Sequence, residues 1–276
     1  MSTLIIDAGS TKLEWAVLEK GKVADRFTTP GFNPNYTPFM VLQDALERDF
    51  PVVDSVYYYG TGCGSEKNCQ LIRECFQNRF PPAEIFVSHD LMGAARALLG
   101  HGKGIVCILG TGANSCLYDG EVVVDKAVSL GYLVGDEGSG CYIGRKLAKA
   151  YFYDFMPLEL KLEFDKSYHL EINEFIDRVY HQKEPSRYLA GFAEFAGEHM
   201  DHPFIKTLLK ECFMDFIKVF VLRYKECREL PVCFVGSVAF YCQTLLYECL
   251  SDEGLTMGKV MRSPMEGLIQ NSALIH

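Results

Sequence analysis

The chain has no surplus of positive charge. Its 27 lysines and arginines face 36 aspartates and glutamates, a net charge of −9, and the basic residues are scattered rather than clustered. That balance disfavours a nucleic-acid or acidic-membrane partner, which a basic patch would have to attract. No apolar run is long enough to span a bilayer, and no basic segment leads into an apolar stretch and a small-residue cleavage site at the N-terminus. Those two absences predict a cytoplasmic protein. There is no Cys-x-x-Cys pair, although the chain holds 11 cysteines. The odd count, and positions such as Cys107 inside Ile105–Leu109, predict free thiols that pack as small hydrophobes rather than a disulfide framework. The Gly-x-x-x-x-Gly-Lys-Ser/Thr sequence is also missing, so any phosphate site is not the strand-to-helix loop of Walker type.

What is present begins with length and apolar content. With 276 residues, 49% of them hydrophobic, the chain can bury one large core or two modest ones. Strand and helix signals alternate through the first hundred residues. An apolar run at Leu4–Ile6 turns at Asp7-Ala8-Gly9-Ser10-Thr11-Lys12 and returns as Leu13–Leu18, with a third strand at Gly21–Thr28. A helix is predicted from Pro38 to about Asp49, a buried strand at Val56–Tyr59, a helix at Lys67–Arg79 and a strand at Ile85–Val87. The pattern then restarts. Gly104–Leu109, the turn Gly110-Thr111-Gly112, a returning strand from Asn114 and a further strand reaching Val124 repeat the opening hairpin and its third strand, which predicts two like-folded α/β halves with a nucleotide cleft between them. Residues 146–228 read as helical, with the apolar spacing of Leu208, Leu209, Cys212, Phe213, Phe216 and Ile217 taken as core. A strand at Val232–Val235, a helix at 239–250 and a short closing helix near Pro264 complete the pattern.

Both hairpins carry the chemistry of a phosphate site. Glycines let backbone N–H groups approach a polyanion, and short hydroxyl side chains finish the contacts. Asp7, at the end of a buried strand, can hold a hydrated Mg²⁺ through water, while Ser10, Thr11 and Lys12 offer donors to phosphate oxygens. Asp7 could instead cap the turn. Asn114 suits a turn whatever its function. A second glycine-rich stretch, Gly131 to Gly140, carries the acidic pair Asp136 and Glu137. Asp90 opens the Ala-rich segment after Ile85–Ser88, where an aspartate is also a favoured helix N-cap.

Taken in order, five motifs resemble the sugar kinases of the actin, hexokinase and heat-shock-ATPase superfamily, and more closely the N-acetylglucosamine kinases and the BadF/BadG/BcrA/BcrD ATPases. They are Asp7 to Lys12, His89 to Ala97, Gly110 to Ser115, Gly131 to Gly140, and Val235 to Ala239. The resemblance spans nearly the whole chain and implies two ribonuclease-H-like (actin-like ATPase) domains. One would be residues 1–104, completed by a C-terminal helix 262–276; the other would be 105–261, with a helical insertion. It implies an ATP-dependent, Mg²⁺-assisted phosphotransferase whose small-molecule substrate is an amino sugar, with N-acetylglucosamine foremost and a homodimer as an allowed assembly.

Residue by residue, the resemblance makes Asp90 the base that accepts the proton of the attacking sugar hydroxyl. It places Ser10, Thr11, Lys12, Gly110, Thr111 and Gly112 on phosphates and Gly236 with Ser237 beside adenosine. Asn33, Asp90, Asn114, Asp136, Ser139 and Gly140 fall at the sugar, with Asn35 an alternative to Asn33 and Glu137 an alternative to Asp136. Pro34 departs from the family pattern after the Asn33 position, which leaves other hexosamines open as substrates. Two further readings stand beside the kinase. A dehydratase-activating ATPase would need an exposed cluster-ligating cysteine, for which Cys63 is the candidate, and a sugar-sensing repressor would need a helix-turn-helix.

Overall fold

The structure, a computed structural model, describes residues 2–272. Met1 and positions 273–276 of the predicted closing helix lie outside the described residues. The chain divides into two compact units.

The first unit holds the chain up to Gly102, the turn Asp119–Val123 and the chain from Ser263 onward. Strands β1 (Ser2–Ala8), β2 (Lys12–Glu19) and β3 (Lys22–Pro30) form an antiparallel meander. Helix α1 (Met40–Leu46) leads to β4 (Ser55–Gly60), α2 (Glu66–Arg79) leads to β5 (Glu84–His89), and α3 (Asp90–Leu99) follows directly. β4 and β5 add in parallel, giving the order β3-β2-β1-β4-β5. Alternation along the strands sorts the faces. Leu4, Ile6, Ala8, Trp15, Val17, Val56 and Tyr58 join Ile72 and Phe76 of α2 in one core. Trp15 is fully buried, stacks on Phe27 at 5.5 Å and donates through Nε1 to Thr29 Oγ1 at 2.8 Å. A buried aromatic of this size typically contributes about 3–5 kcal/mol over alanine. Tyr59 falls on the other face, where α3 comes close enough that a Cβ at Gly93 would lie 2.6 Å from the Tyr59 Cβ.

The second unit repeats this order. It contains β6 (Gly104–Leu109), β7 (Ala113–Tyr118) and β8 (Val123–Lys126), then helices α4 (Gly140–Phe152), α5 (Leu158–Tyr168), α6 (Ile172–Tyr180), α7 (Pro185–Gly191), α8 (Ala193–Glu198) and α9 (Pro203–Phe216), the last continuing as a π-helical turn. Strand β9 (Val232–Val235), helices α10 (Ser237–Tyr241) and α11 (Gln243–Asp252) and strand β10 (Met257–Met261) complete it. The sheet order, β8-β7-β6-β9-β10, matches that of the first unit, with the β6–β7 hairpin antiparallel and β9 and β10 added in parallel. Its core joins Ile105, Cys107 and Leu109 to Phe213, Phe216 and Phe220. The final helix, α12 (Met265–Gln270), belongs to the first unit and packs on α3, where Gly267 faces the Ala97 carbonyl and Asn271 Nδ2 donates to the Arg96 carbonyl at 2.8 Å.

Several expected elements differ in detail. Helix α1 is shorter than Pro38–Asp49, and the helix expected over 239–250 is split into α10 and α11 at Cys242. The further strand expected after the returning one is present as β8, and Asp119 Oδ1 makes the turn between β7 and β8 by accepting from the Glu121 and Val122 N–H groups. Strand β10 is an addition that the pattern at Met257-Gly258-Lys259 did not announce.

Candidate active site

In the first unit the turn between β1 and β2 is closed by the Gly9 N–H donating to the Lys12 carbonyl at 3.0 Å. Ser10, Thr11 and Lys12 project from it into solvent. The hairpin register sets Asp7 directly opposite Glu14. Glu14 is buried, pairs with the Lys12 ammonium and accepts from Ser263 Oγ at 2.6 Å. Burial pushes its carboxyl upward, but the hydrogen bonds from Lys12 and Ser263 outweigh that and hold it below the usual range. Asp7 has the opposite balance. Burial, then the Glu14 and Asp90 carboxylates, raise its pKa to about 7 against the weaker pull of Lys12.

Asp90 is the first residue of α3, and the cap of that helix is its neighbour. His89 Nδ1 accepts from the Met92 N–H at 3.2 Å, while Asp90 Oδ1 accepts from the Leu91 N–H at 2.8 Å. The imidazole therefore takes the capping role that the sequence allowed for Asp90. Asn33 is fixed by an Asx turn, its Oδ1 accepting from the Asn35 N–H at 3.0 Å, and a Cβ at Gly62 would lie 2.5 Å from that oxygen. Asn35, the alternative, accepts from Asn68 Nδ2 at 3.0 Å. Asn33, Asp7 and Asp90 are all half-buried in this unit.

In the second unit the corresponding hairpin is Gly110-Thr111-Gly112, half-exposed at the end of β6. Gly236 lies against it with φ +131°, and a Cβ there would sit 2.3 Å from the Leu109 carbonyl oxygen. Only glycine combines that backbone with that approach. Ser237 opens α10 and is exposed. The Gly131–Gly140 stretch meets the same hairpin. The Gly140 N–H donates to the Gly110 carbonyl at 2.8 Å, the Cys141 N–H donates to the Thr111 carbonyl at 3.1 Å, and the Ala113 N–H donates to Asp136 Oδ1 at 3.3 Å. Asp136 is 8% exposed, and burial raises its pKa despite the Ala113 hydrogen bond and the nearby Arg145. Glu137 is half-buried. Ser139 is fully buried, with its hydroxyl capping α4 through the Tyr142 N–H at 3.3 Å. Asn114 Oδ1 accepts from the adjacent Ser115 N–H at 2.8 Å.

One group absent from the sequence-derived set stands out. Glu14 could have been found from the hairpin itself, since a turn centred on Ser10–Thr11 sets position 7 opposite position 14. Cys141 approaches Ser139 Oγ at 3.1 Å. Cys63, on which a cluster-bearing alternative depends, is 4% exposed, and burial followed by Cys69 pushes its thiol well up, so it offers no exposed thiolate. Among the described residues no group of three or more His, Cys, Asp or Glu is arranged to hold a metal, and no helix is long and apolar enough to cross a membrane. Asp7 still suits a hydrated divalent ion: it is a half-buried carboxylate flanked by two others, and Mg²⁺ commonly takes one carboxylate, waters and substrate phosphates.

No protein-family model and no curated protein matches the chain. Among solved structures, a candidate N-acetylglucosamine kinase from Porphyromonas gingivalis is 39% identical, with a TM-score of 0.94 over 99% of each chain. A candidate N-acetylglucosamine kinase from Chromobacterium violaceum shares the fold at 15% identity and a TM-score of 0.66, over 98% of each chain. A ROK-family glucokinase from Streptomyces griseus, solved with glucose and AMPPNP, does so at 14% identity and a TM-score of 0.58, over 99% of each chain.

Proposed function

Because the chain belongs to the N-acetylglucosamine-kinase-like branch of the actin-like ATPase sugar kinases, we propose that it transfers the γ-phosphoryl group of ATP to a hydroxyl of an amino sugar, N-acetylglucosamine first among the candidates. The observation that carries this reading is Asp90. It opens α3 directly after β5, half-buried, and its carboxylate lies near enough to Asp7 to help raise the Asp7 pKa, which sets the expected base beside the expected metal-holding carboxylate within one unit.

In this reaction the sugar O–H gives its proton to Asp90 as the oxygen attacks the γ-phosphorus, and ADP departs. Phosphoryl transfer demands alignment and charge compensation more than covalent help from the protein. Ser10, Thr11 and Lys12, with the N–H groups of Thr111 and Gly112, would grip the phosphates; Gly236 and Ser237 would border the adenosine. Lys12 must exchange its Glu14 partner for a phosphate oxygen to do so. Mg²⁺ held through water by Asp7 would neutralise charge developing on the phosphate oxygens. Asn33 and Asp136 would read sugar hydroxyls, since a carboxylate accepts from a diol and an amide can serve on either side.

ADP release measured with Mg²⁺ over a panel of hexoses, glucosamine, N-acetylglucosamine, N-acetylmannosamine and N-acetylmuramic acid tests the proposal. Turnover concentrated on one amino sugar is expected. ADP release that ignores every sugar would overturn it.

A further inference from the structure

Helix α6 carries an apolar face that the chain covers along one edge only. Ile172, Phe175, Ile176, Val179 and Tyr180 recur at helical spacing and share that face. Its inner edge, Phe175 and Val179, is half-buried, and the Phe175 ring meets Phe152 at 5.0 Å, Tyr188 at 6.1 Å and Phe192 at 6.4 Å. The outer row of Ile172, Ile176 and Tyr180, each one turn from the next, stands in solvent, with Ile176 43% and Tyr180 70% exposed. Next to Phe152 the exposed rings of Tyr153 and Phe155 lie 6.0 Å apart and extend the apolar surface. At 150–250 Å² a ring, the three exposed aromatics alone leave about 400 Å² uncovered. That is as much as the largest apolar patch of an ordinary monomer and about half of what a stable interface takes from each partner, before the two isoleucines and a polar rim are added.

The outer row is symmetrical about Ile176, with one large apolar side chain a turn to either side, but its ends differ in charge. Glu171 and Glu174 lie at the N-terminal end, and Arg178, His181 and Lys183 at the C-terminal end. Several of the charges near the helix are met locally: Glu174 pairs with Arg178 at 3.5 Å, Asp177 Oδ2 accepts from Gln182 Nε2 at 2.6 Å, and Glu184 pairs with Arg187 at 3.5 Å. Glu171, His181 and Lys183 are exposed and take no ion pair among the described residues. A second copy laid antiparallel across the row sets Ile176 on Ile176, Ile172 on Tyr180, and the acidic end of each helix on the basic end of the other. The same arrangement opposes the helix dipoles, whereas a parallel copy would bring like charges together.

We infer that the outer row of α6 is a two-fold contact through which two copies of this chain pair, helix antiparallel to helix, with Ile176 on the axis. None of these residues belongs to the candidate active site, so the inference does not rest on the phosphoryl-transfer reading.

Sedimentation velocity of the full chain over the micromolar range should pass from one chain to two. Ile176→Asp should hold it at one chain with the parent's Tm and ADP release, because the position is exposed and outside the site. Glu171→Lys and Lys183→Glu should each weaken pairing about 2- to 30-fold, since the two-fold repeats each rim ion pair, and combining them should restore it. The axis is tested by crosslinking. Helices packed 8–10 Å apart bring facing Cα atoms to about 5 Å, within disulfide reach, while residue 172 of an antiparallel pair stands about 12 Å along the axis from its own copy. Diamide should therefore join Ile176→Cys chains in pairs and leave Ile172→Cys chains single. The parent, whose native thiols are buried except for the partly exposed Cys75, sets the background. A parent that stays a single chain throughout overturns the inference and leaves the face bare or to a partner of another sequence. A dimer indifferent to Ile176→Asp also overturns it, as does crosslinking of Ile172→Cys in place of Ile176→Cys, which marks a parallel pair.

Discussion

Replacing Asp90 by asparagine separates a chemical role from a structural one, and the geometry at the start of α3 gives each a magnitude. The amide oxygen can still accept from the Leu91 N–H, now met by Asp90 Oδ1 at 2.8 Å, and the His89 cap on Met92 is untouched. What the variant loses structurally is one negative charge in the first helical turn, typically about 0.3–1 kcal/mol. It also relieves the repulsion that Asp90 exerts on Asp7, which offsets part of that loss. The net change should stay within about 1 kcal/mol, a Tm shift of no more than roughly 4 °C for a chain of this size. The chemical loss is larger. A general base typically contributes about 10²–10⁴-fold, or roughly 2.7–5.5 kcal/mol on the barrier. Coupled ADP release, calorimetric Tm and equilibrium binding of AMPPNP and sugar should therefore show kcat falling at least a hundredfold while stability and both affinities hold. A variant that keeps most of the parent's kcat on its best sugar would refute the assignment and leave the base elsewhere.

Two further outcomes follow from the same structure. Gly236→Ala puts a Cβ 2.3 Å from the Leu109 carbonyl oxygen on a backbone at φ +131°, so steric overlap and a disfavoured conformation should together cost about 2–5 kcal/mol and weaken AMPPNP binding. A parent-like Tm and an unchanged AMPPNP Kd in calorimetry would contradict it. Asp7 has a folded-state pKa near 7 against 3.8 for the free group, so its ionisation penalty is absent below pH 3.8, grows with rising pH and is complete above pH 7. Without Mg²⁺ the parent should lose stability across that window by up to roughly 4 kcal/mol, and Asp7→Asn should remove that loss. Identical Tm-versus-pH curves for parent and variant would show that the carboxylate carries no such penalty.

How much of this was legible in the sequence depends on whether a residue's role is local. The turns at Gly9 and Gly110 announce themselves because glycine and hydroxyl residues mark a tight hairpin by their own chemistry, and the matching strand orders β3-β2-β1-β4-β5 and β8-β7-β6-β9-β10 bear out a repeated α/β pattern. Roles that need a partner from elsewhere in the chain stayed hidden. Nothing in Pro264's surroundings signals that Ser263 Oγ will hold Glu14, 249 residues away. Nor does Met257-Gly258-Lys259 signal a strand, because its pairing is with β9 and Gly258 is there to clear Cys233 Sγ. The stretch read as mostly helical over 146–228 is divided at Asp154, His169 and Glu184, three non-glycine residues with positive φ that no composition rule picks out. The α3 cap shows the same limit at a single position. Aspartate is the better capper by propensity, yet the register of β5 ends the strand at His89 and gives the cap to the imidazole. Local preference thus named the junction, and tertiary register decided which of two adjacent side chains caps the helix.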